Sequence, residues 1–191
     1  MSRWTSDEFL VTAAAVLNSI REKRRYSGSV DLRGLIVGLD GEPSLLANFD
    51  FQDTALGGID FSYSRFSCSF SRCVFDACVL NNVKFDTCRM VSARFLQTSF
   101  AGASFAAPVL DDAIFEDCSF ARSSFRGRGS KSYGARRAEF HRCIFDSSRF
   151  IGIELRACKF VDCSFLETAF KQCVLAGVKF KGASPNEMQF T

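Results

Sequence analysis

All nine cysteines of the chain share one phase of five: 68, 73, 78, 88, 118, 143, 158, 163 and 173. Blind placement would hold eight followers to the phase of the first about three times in a million, so the interval has a structural cause. Phenylalanine keeps the same interval two residues later. From Phe70 to Phe125, and again from Phe140 to Phe180, the 21 positions five apart hold 16 Phe, four Leu and one Met. Two residues before them stand compact side chains, among them every cysteine, Ala93, Ala103, Ala113, Ala138, Val83, Val178, Thr98, Thr168, Ser123 and Ser148. A large ring and a small partner therefore alternate along the chain.

Helices return a side chain to one face after 3.6 residues and strands after two, so neither explains a period of five. A square coil does. If each five-residue unit forms one side, its middle residue and the residue two before it both point inward, and four sides close in about 20 residues. Residues one coil apart then stack at about 4.8 Å, with backbones hydrogen-bonded coil to coil. The chain reads as an all-β solenoid with phenylalanines along its axis. Its 191 residues, 47% hydrophobic and 24% charged, suffice for one such body.

The units "ANFDF" at 47–51, "IDFSY" at 59–63 and "AEFHR" at 138–142 resemble the pentapeptide-repeat family, with a further unit at "VDLRG", 30–34. The resemblance covers about residues 46–190 and implies a right-handed quadrilateral β-helix. Cysteine stands where that family favours alanine, and Val74, Lys84, Arg89, Arg94, Ile144 and Lys159 stand where it favours Asp or Asn. Phe61 and Phe66 run one residue out of phase with Phe70, which predicts a local distortion at one corner.

Thiols at such spacing invite a metal or redox reading, but there is no CxxC pair, and the small inward slot accounts for all nine together. No metal site and no cofactor is expected. Cys68 with Cys88, and Cys143 with Cys163, stack 20 apart at a spacing compatible with a disulfide, although parallel inward side chains and a reducing compartment disfavour one. The odd thiol count and the lack of a secretory signal point to the cytoplasm.

Residues 1–27 differ from the rest. Thr5 and Glu8 have capping-box spacing, Trp4 and Phe9 that of a hydrophobic staple, and Phe9, Leu10, Ala13, Leu17 and Ile20 share one helical face. "REKRR" closes this helix with charge that suits its C-terminal dipole. A solenoid end exposes strand edges and an apolar cross-section, so the helix reads as an α-helical cap on a repeat body spanning 28–191; a membrane-surface or partner helix is the alternative. No second helical pattern follows Phe180, and Pro185 takes an inward position, leaving the C-terminal end for a homodimer contact.

The stretch 126–137, "RGRGSKSYGARR", is the least repeat-like part of the body. Its Arg126, Arg128, Lys131, Tyr133, Arg136 and Arg137 read as a protein-binding loop displaced outward from the coil, or as a tolerated insertion of solvated charge. Acidity is densest at Asp111, Asp112, Glu116 and Asp117, a candidate acidic surface patch. The resemblance implies one further role, because some pentapeptide-repeat proteins imitate duplex DNA and bind type II topoisomerases such as DNA gyrase, giving resistance to quinolones or toxins. Here Arg72, Lys84, Arg89, Arg94 and Arg122 interrupt the acidic pattern such a mimic needs. His141 is the single histidine, sits one place beyond an inward Phe, and shows no partner in the sequence. No catalytic or nucleotide-binding fingerprint is present, so enzymatic activity and direct nucleic-acid binding are not expected. A non-catalytic scaffold with an unknown protein partner and a topoisomerase-binding DNA mimic both remain open.

Overall fold

The computed structural model describes residues 4, 6–40, 46, 48–128, 133–186 and 190. Within them one α-helix, Asp7–Lys23, precedes 15 short strands. Every strand pairs in parallel, and consecutive strands alternate between an eight-stranded sheet, from Arg25–Asp31 to Lys179–Lys181, and a seven-stranded sheet, from Ile36–Val37 to Ala169–Lys171. The other two sides of the square carry single parallel bridges, such as Val79 to Ser99 and Arg89 to Val109. The body is a right-handed quadrilateral β-helix with an N-terminal helix.

The repeat dictates this register. Phe75, Phe95 and Phe115 pair in successive strands of the eight-stranded sheet, and Phe85, Phe105 and Phe125 in those of the other. Ladder spacing then fixes ring spacing. Phe100, Phe120 and Phe145 lie on one another at 4.9 and 5.0 Å with planes 2° apart, and Phe105, Phe125 and Phe150 at 4.5 and 4.7 Å. All six rings are buried. The interior is thus a set of stacked phenylalanine columns.

The small slots beside these columns hold seven buried cysteines, with Cys68 and Cys173 half-buried, and all nine are free thiols. Their hydrogen bonds give cysteine an advantage over alanine. Cys118 Sγ donates to the Phe95 carbonyl at 3.3 Å, Cys163 to that of Phe140 at 3.3 Å and Cys88 to that of Phe66 at 3.2 Å. In each case the thiol satisfies a carbonyl of the preceding coil.

Alternate corners are four-residue turns closed by a bond such as Ser123 N–H to Phe120 O (3.0 Å) or Ala93 N–H to Met90 O (3.2 Å), and those between them are open bends. At both kinds of corner the residue two after the inward centre is left-handed, as at Arg72 (φ 57°), Ala77 (49°), Asn82 (56°) and Thr87 (53°). Such corners cost about 1 to 2 kcal/mol at non-glycine residues, and stacking overrides that cost. The expected distortion lies between Phe66 and Phe70, where the step is four residues and no left-handed residue intervenes between Tyr63 and Arg72. The coil there pairs Phe66 with Phe85, 19 residues on. Below this corner Gly38 is left-handed (φ 71°), and a Cβ on it would lie 2.1 Å from Ser67 O.

Helix Asp7–Lys23 buries Ala13, Val16, Leu17 and Ile20 against the first coil. Trp4 meets Phe9 edge-to-face at 4.8 Å and donates its indole N–H to Arg33 O at 2.9 Å, so the staple ties the helix start to the coil. Ser6 is the N-cap and makes no side-chain cap bond. Thr5 and the Glu8 side chain, which carry the expected capping box, lie outside the described residues, as does Ala47 of "ANFDF". The left-handed C-cap Arg24 (φ 52°) reaches Gln52 O at 2.5 Å and Asp50 at 3.1 Å, and the first strand begins at the next residue. At the far end Pro185 is buried and Phe190 stacks on Phe170 at 5.1 Å, while Leu175, Val178 and Phe180 are only partly covered.

Candidate interaction surface

The break in the repeat is narrower than 126–137. Phe115 pairs with Phe140 and Phe125 with Phe150, 25 residues apart instead of 20, so one five-residue unit is inserted. Arg126 ends the strand Ser124–Arg126 and is exposed. The coil resumes at Gly134, whose N–H donates to Pro108 O at 2.8 Å and which bridges Val109 and Glu154. A Cβ on Gly134 would lie 2.2 Å from Glu154 O, so only glycine passes there. Ala135 then takes the inward place held by leucine in the coils on either side, and is fully buried. Arg136 and Arg137 therefore belong to the coil and not to an outward loop. Arg128 is exposed, Tyr133 is half-buried, and Lys131 lies outside the described residues.

This placement brings the two sequence-predicted patches together. Arg136 binds Asp111 through both its backbone N–H and its Nε, each at 3.0 Å. Arg137 grips Asp112 with two bonds of 2.7 Å, and Arg142 grips Asp117 in the same way. Glu116 lies 3.2 Å from Arg94 and 4.0 Å from Arg142. Arg128 reaches Asp86 at 3.3 Å. Of the six basic and aromatic candidates and the four acidic ones, Arg136, Arg137, Asp111, Asp112, Glu116 and Asp117 thus form one ridge of paired charge that spans two successive corners of the coil, to which Arg142 is an addition the sequence reading lacked. Arg126, Arg128 and Tyr133 lie beside the insertion.

The cause is corner stacking. Asp112 (φ 58°) and Arg137 (φ 57°) occupy the same corner one coil apart, as do Asp117 (φ 54°) and Arg142 (φ 51°). The paired guanidinium holds each carboxyl below the usual aspartate range. Arg72 with Asp53, at 2.7 Å, repeats the device lower on the column of Asp112 and Arg137, and Lys159 with Glu139, at 2.6 Å, repeats it between strands. The signal that finds these pairs is opposite charge at an offset of one coil, which the insertion lengthens to 25.

His141 has a partner after all. On the outer face of the eight-stranded sheet its Nε2 lies 3.1 Å from Glu139 Oε2, and both side chains are half-buried. The partner was invisible to a five-residue reading because a strand places i and i+2 on one face. The described residues contain no group of three or more His, Cys, Asp or Glu arranged to hold a metal ion. None of their helices is long and apolar enough to cross a membrane.

A five-residue sequence unit wound as stacked squares defines a class of fold, and the chain has the quadrilateral β-helix fold seen in pentapeptide-repeat proteins. Comparison with one solved structure agrees on the fold. QnrB1, described as a plasmid-mediated fluoroquinolone resistance protein, aligns over 83% of each chain with 14% identity and a TM-score of 0.53. The pentapeptide-repeat protein Rfr23 of the cyanobacterium Cyanothece matches 88% of this chain and 95% of its own at 12% identity, with a TM-score of 0.38. HetL, a pentapeptide-repeat protein involved in heterocyst differentiation regulation in Nostoc, covers 92% of each chain at 13% identity, with a TM-score of 0.24. The sequence itself matches no family model and no curated protein.

Proposed function

We propose that the chain is a non-catalytic scaffold that binds a protein partner across the side between the two corners that follow the insertion. The observation behind this reading is the ridge formed by Asp111, Asp112, Glu116 and Asp117 with Arg136, Arg137 and Arg142, flanked by the exposed Arg126 and Arg128 and by Tyr133. Fixed paired charges on a rigid support select a partner by charge register more than they add affinity. A variant lacking 128–132 restores the five-residue step and keeps the coil. It is expected to lose partner capture in a pull-down while retaining the β spectrum; undiminished capture removes the insertion from the interface.

The second reading is binding to a type II topoisomerase. It is favoured by the likeness to QnrB1, a fluoroquinolone resistance protein, which at 14% identity speaks to fold. The neutralised ridge weighs against it, because a duplex mimic presents unpaired negative charge. Titration into DNA gyrase supercoiling reactions, with and without a fluoroquinolone, separates the two readings: inhibition or protection favours the mimic. A homodimer through the C-terminal end is proposed on the partly covered Leu175, Val178 and Phe180, and sedimentation of wild type against Phe180→Asp tests it.

A further inference from the structure

The outward side of the seven-stranded sheet carries an excess of positive charge. Its strands contribute Arg65, Lys84, Arg126, Arg149 and Lys171 against one carboxylate, Asp86. The strands of the eight-stranded sheet hold five basic and five acidic residues, so the excess belongs to one face. All five basic side chains are exposed, and none enters an ion pair among the described residues, whereas Asp86 is taken by Arg128.

The register arranges these charges in two groups. Arg65, Lys84, Ser104, Ser124 and Arg149 follow one another along one column, and Asp86, Ala106, Arg126, Ile151 and Lys171 along the other. Ser104, Ala106 and Ser124 make a low waist between the basic ends. The strand of Arg65 lies five steps from that of Lys171, about 24 Å at ladder spacing. Among the described residues of these strands no aromatic side chain points outward, and the large apolar ones, Ile36 and Ile151, are half-buried. The face therefore lacks the aromatic anchors of protein–protein hot spots and the stacking platform that holds single-stranded bases. Unpaired cations and serine hydroxyls on a rigid, flat support are what contacts to phosphate need.

We infer that this face binds the phosphate backbone of duplex nucleic acid without reading its sequence. The binding goes beyond the scaffold reading and departs from the sequence expectation of no direct nucleic-acid contact. Charge counted along the chain averages four faces, and only the one-coil column isolates this one.

The test uses the full chain and a fluorescein-labelled 20-base-pair DNA duplex followed by anisotropy. Binding is expected at 50 mM salt, insensitive to sequence, and weakened roughly a hundredfold at 200 mM for about four phosphate contacts. Arg65→Glu/Lys84→Glu/Arg126→Glu/Arg149→Glu should weaken it more than tenfold with an unchanged circular dichroism spectrum, while Lys179→Glu/Lys181→Glu on the other sheet should largely retain it. If the fourfold reversal unfolds the coil, Arg126→Gln/Arg149→Gln decides, by lowering the salt slope by about two. Absence of binding at 50 mM salt, or a salt slope unmoved by these variants, overturns the inference. So does equal competition by polyglutamate at matched charge, which reassigns the face to an acidic protein segment.

Discussion

Arg137 and Asp112, one coil apart on a single corner, share two hydrogen bonds of 2.7 Å, although they come from stretches that differ in sign of charge. Their partnership, repeated by Arg142 and Asp117, converts an apparent basic loop and an apparent acidic patch into one ridge. With side chains 62% and 42% exposed, the first pair is screened by solvent and adds only a small contribution at neutral pH. The sign of its pH dependence follows from the carboxyls. Asp112 and Asp117 have folded-state pKa values depressed by their arginines, so their contribution is present above the unfolded aspartate value near 4 and is lost as pH falls through the lower folded values. Asp112→Asn/Asp117→Asn should therefore melt below wild type at pH 7 and converge with it in strong acid. A gap that stays constant from pH 7 to pH 2 would contradict the pairing.

Phe120 lies between Phe100 and Phe145, with both planes 2° from its own. Truncation to alanine opens a ring-sized void that rigid coils above and below cannot close, so Phe120→Ala should cost about 3 to 5 kcal/mol in urea unfolding. Phe120→Leu should cost less, because leucine already occupies the corresponding inward place at Leu80 two coils earlier. Equal losses for the two substitutions would mean that ring stacking, and not volume, dominates the axis.

The thiols make a separate prediction, since burial pushes Cys78 up to about 11 and Cys158 up to about 12, and raises Cys73 well above the ordinary thiol value. The thiolate is the reactive form, so both access and protonation protect these groups. In native reduced protein a bulky maleimide should label only the half-buried Cys68 and Cys173 quickly, with the other seven labelled only after unfolding. Cys118→Ala should be mild, losing a weak bond to Phe95 O, and Cys118→Leu should be worse through overpacking of about 1 to 3 kcal/mol. Rapid labelling of all nine, or the reverse order of melting temperatures, would remove thiols from the interior.

The phenylalanine columns and the cysteine slots were legible because one large and one small residue recur at fixed phase, and a coil of four equal sides is the geometry that uses both. The first coil was legible as well, since Leu32 of "VDLRG" is buried as its unit requires. The ridge was not, because Arg137 and Asp112 meet at an offset that the insertion lengthens beyond the regular coil. The extent of the insertion was misread for a related reason. Fixed phase makes residue 130 the next inward centre after Phe125, whereas Ala135 takes that place and draws Arg136 and Arg137 into the coil. The left-handed corners left no mark either, because Arg72, Ala77 and Thr87 are ordinary residues and their conformation is imposed by stacking on the neighbouring coils.

Ser148 is fully buried and its hydroxyl has no hydrogen-bond partner among the described residues, and the same holds for Ser123 one coil below. One coil above, Thr168 in the same slot donates to Phe145 O at 2.8 Å, so the slot can satisfy a hydroxyl of suitable rotamer. An unpaired buried hydroxyl carries its desolvation cost without a return bond. Ser148→Ala, which matches Ala103 in this column, should therefore raise stability by about 1 kcal/mol, whereas Thr168→Ala should lower it by about 1 to 2 kcal/mol through a lost bond and a lost methyl. Paired thermal melts of the two variants check both signs at once. A destabilised Ser148→Ala would show that the serine hydroxyl is bonded in solution, for example to a buried water, and that its slot is polar by design.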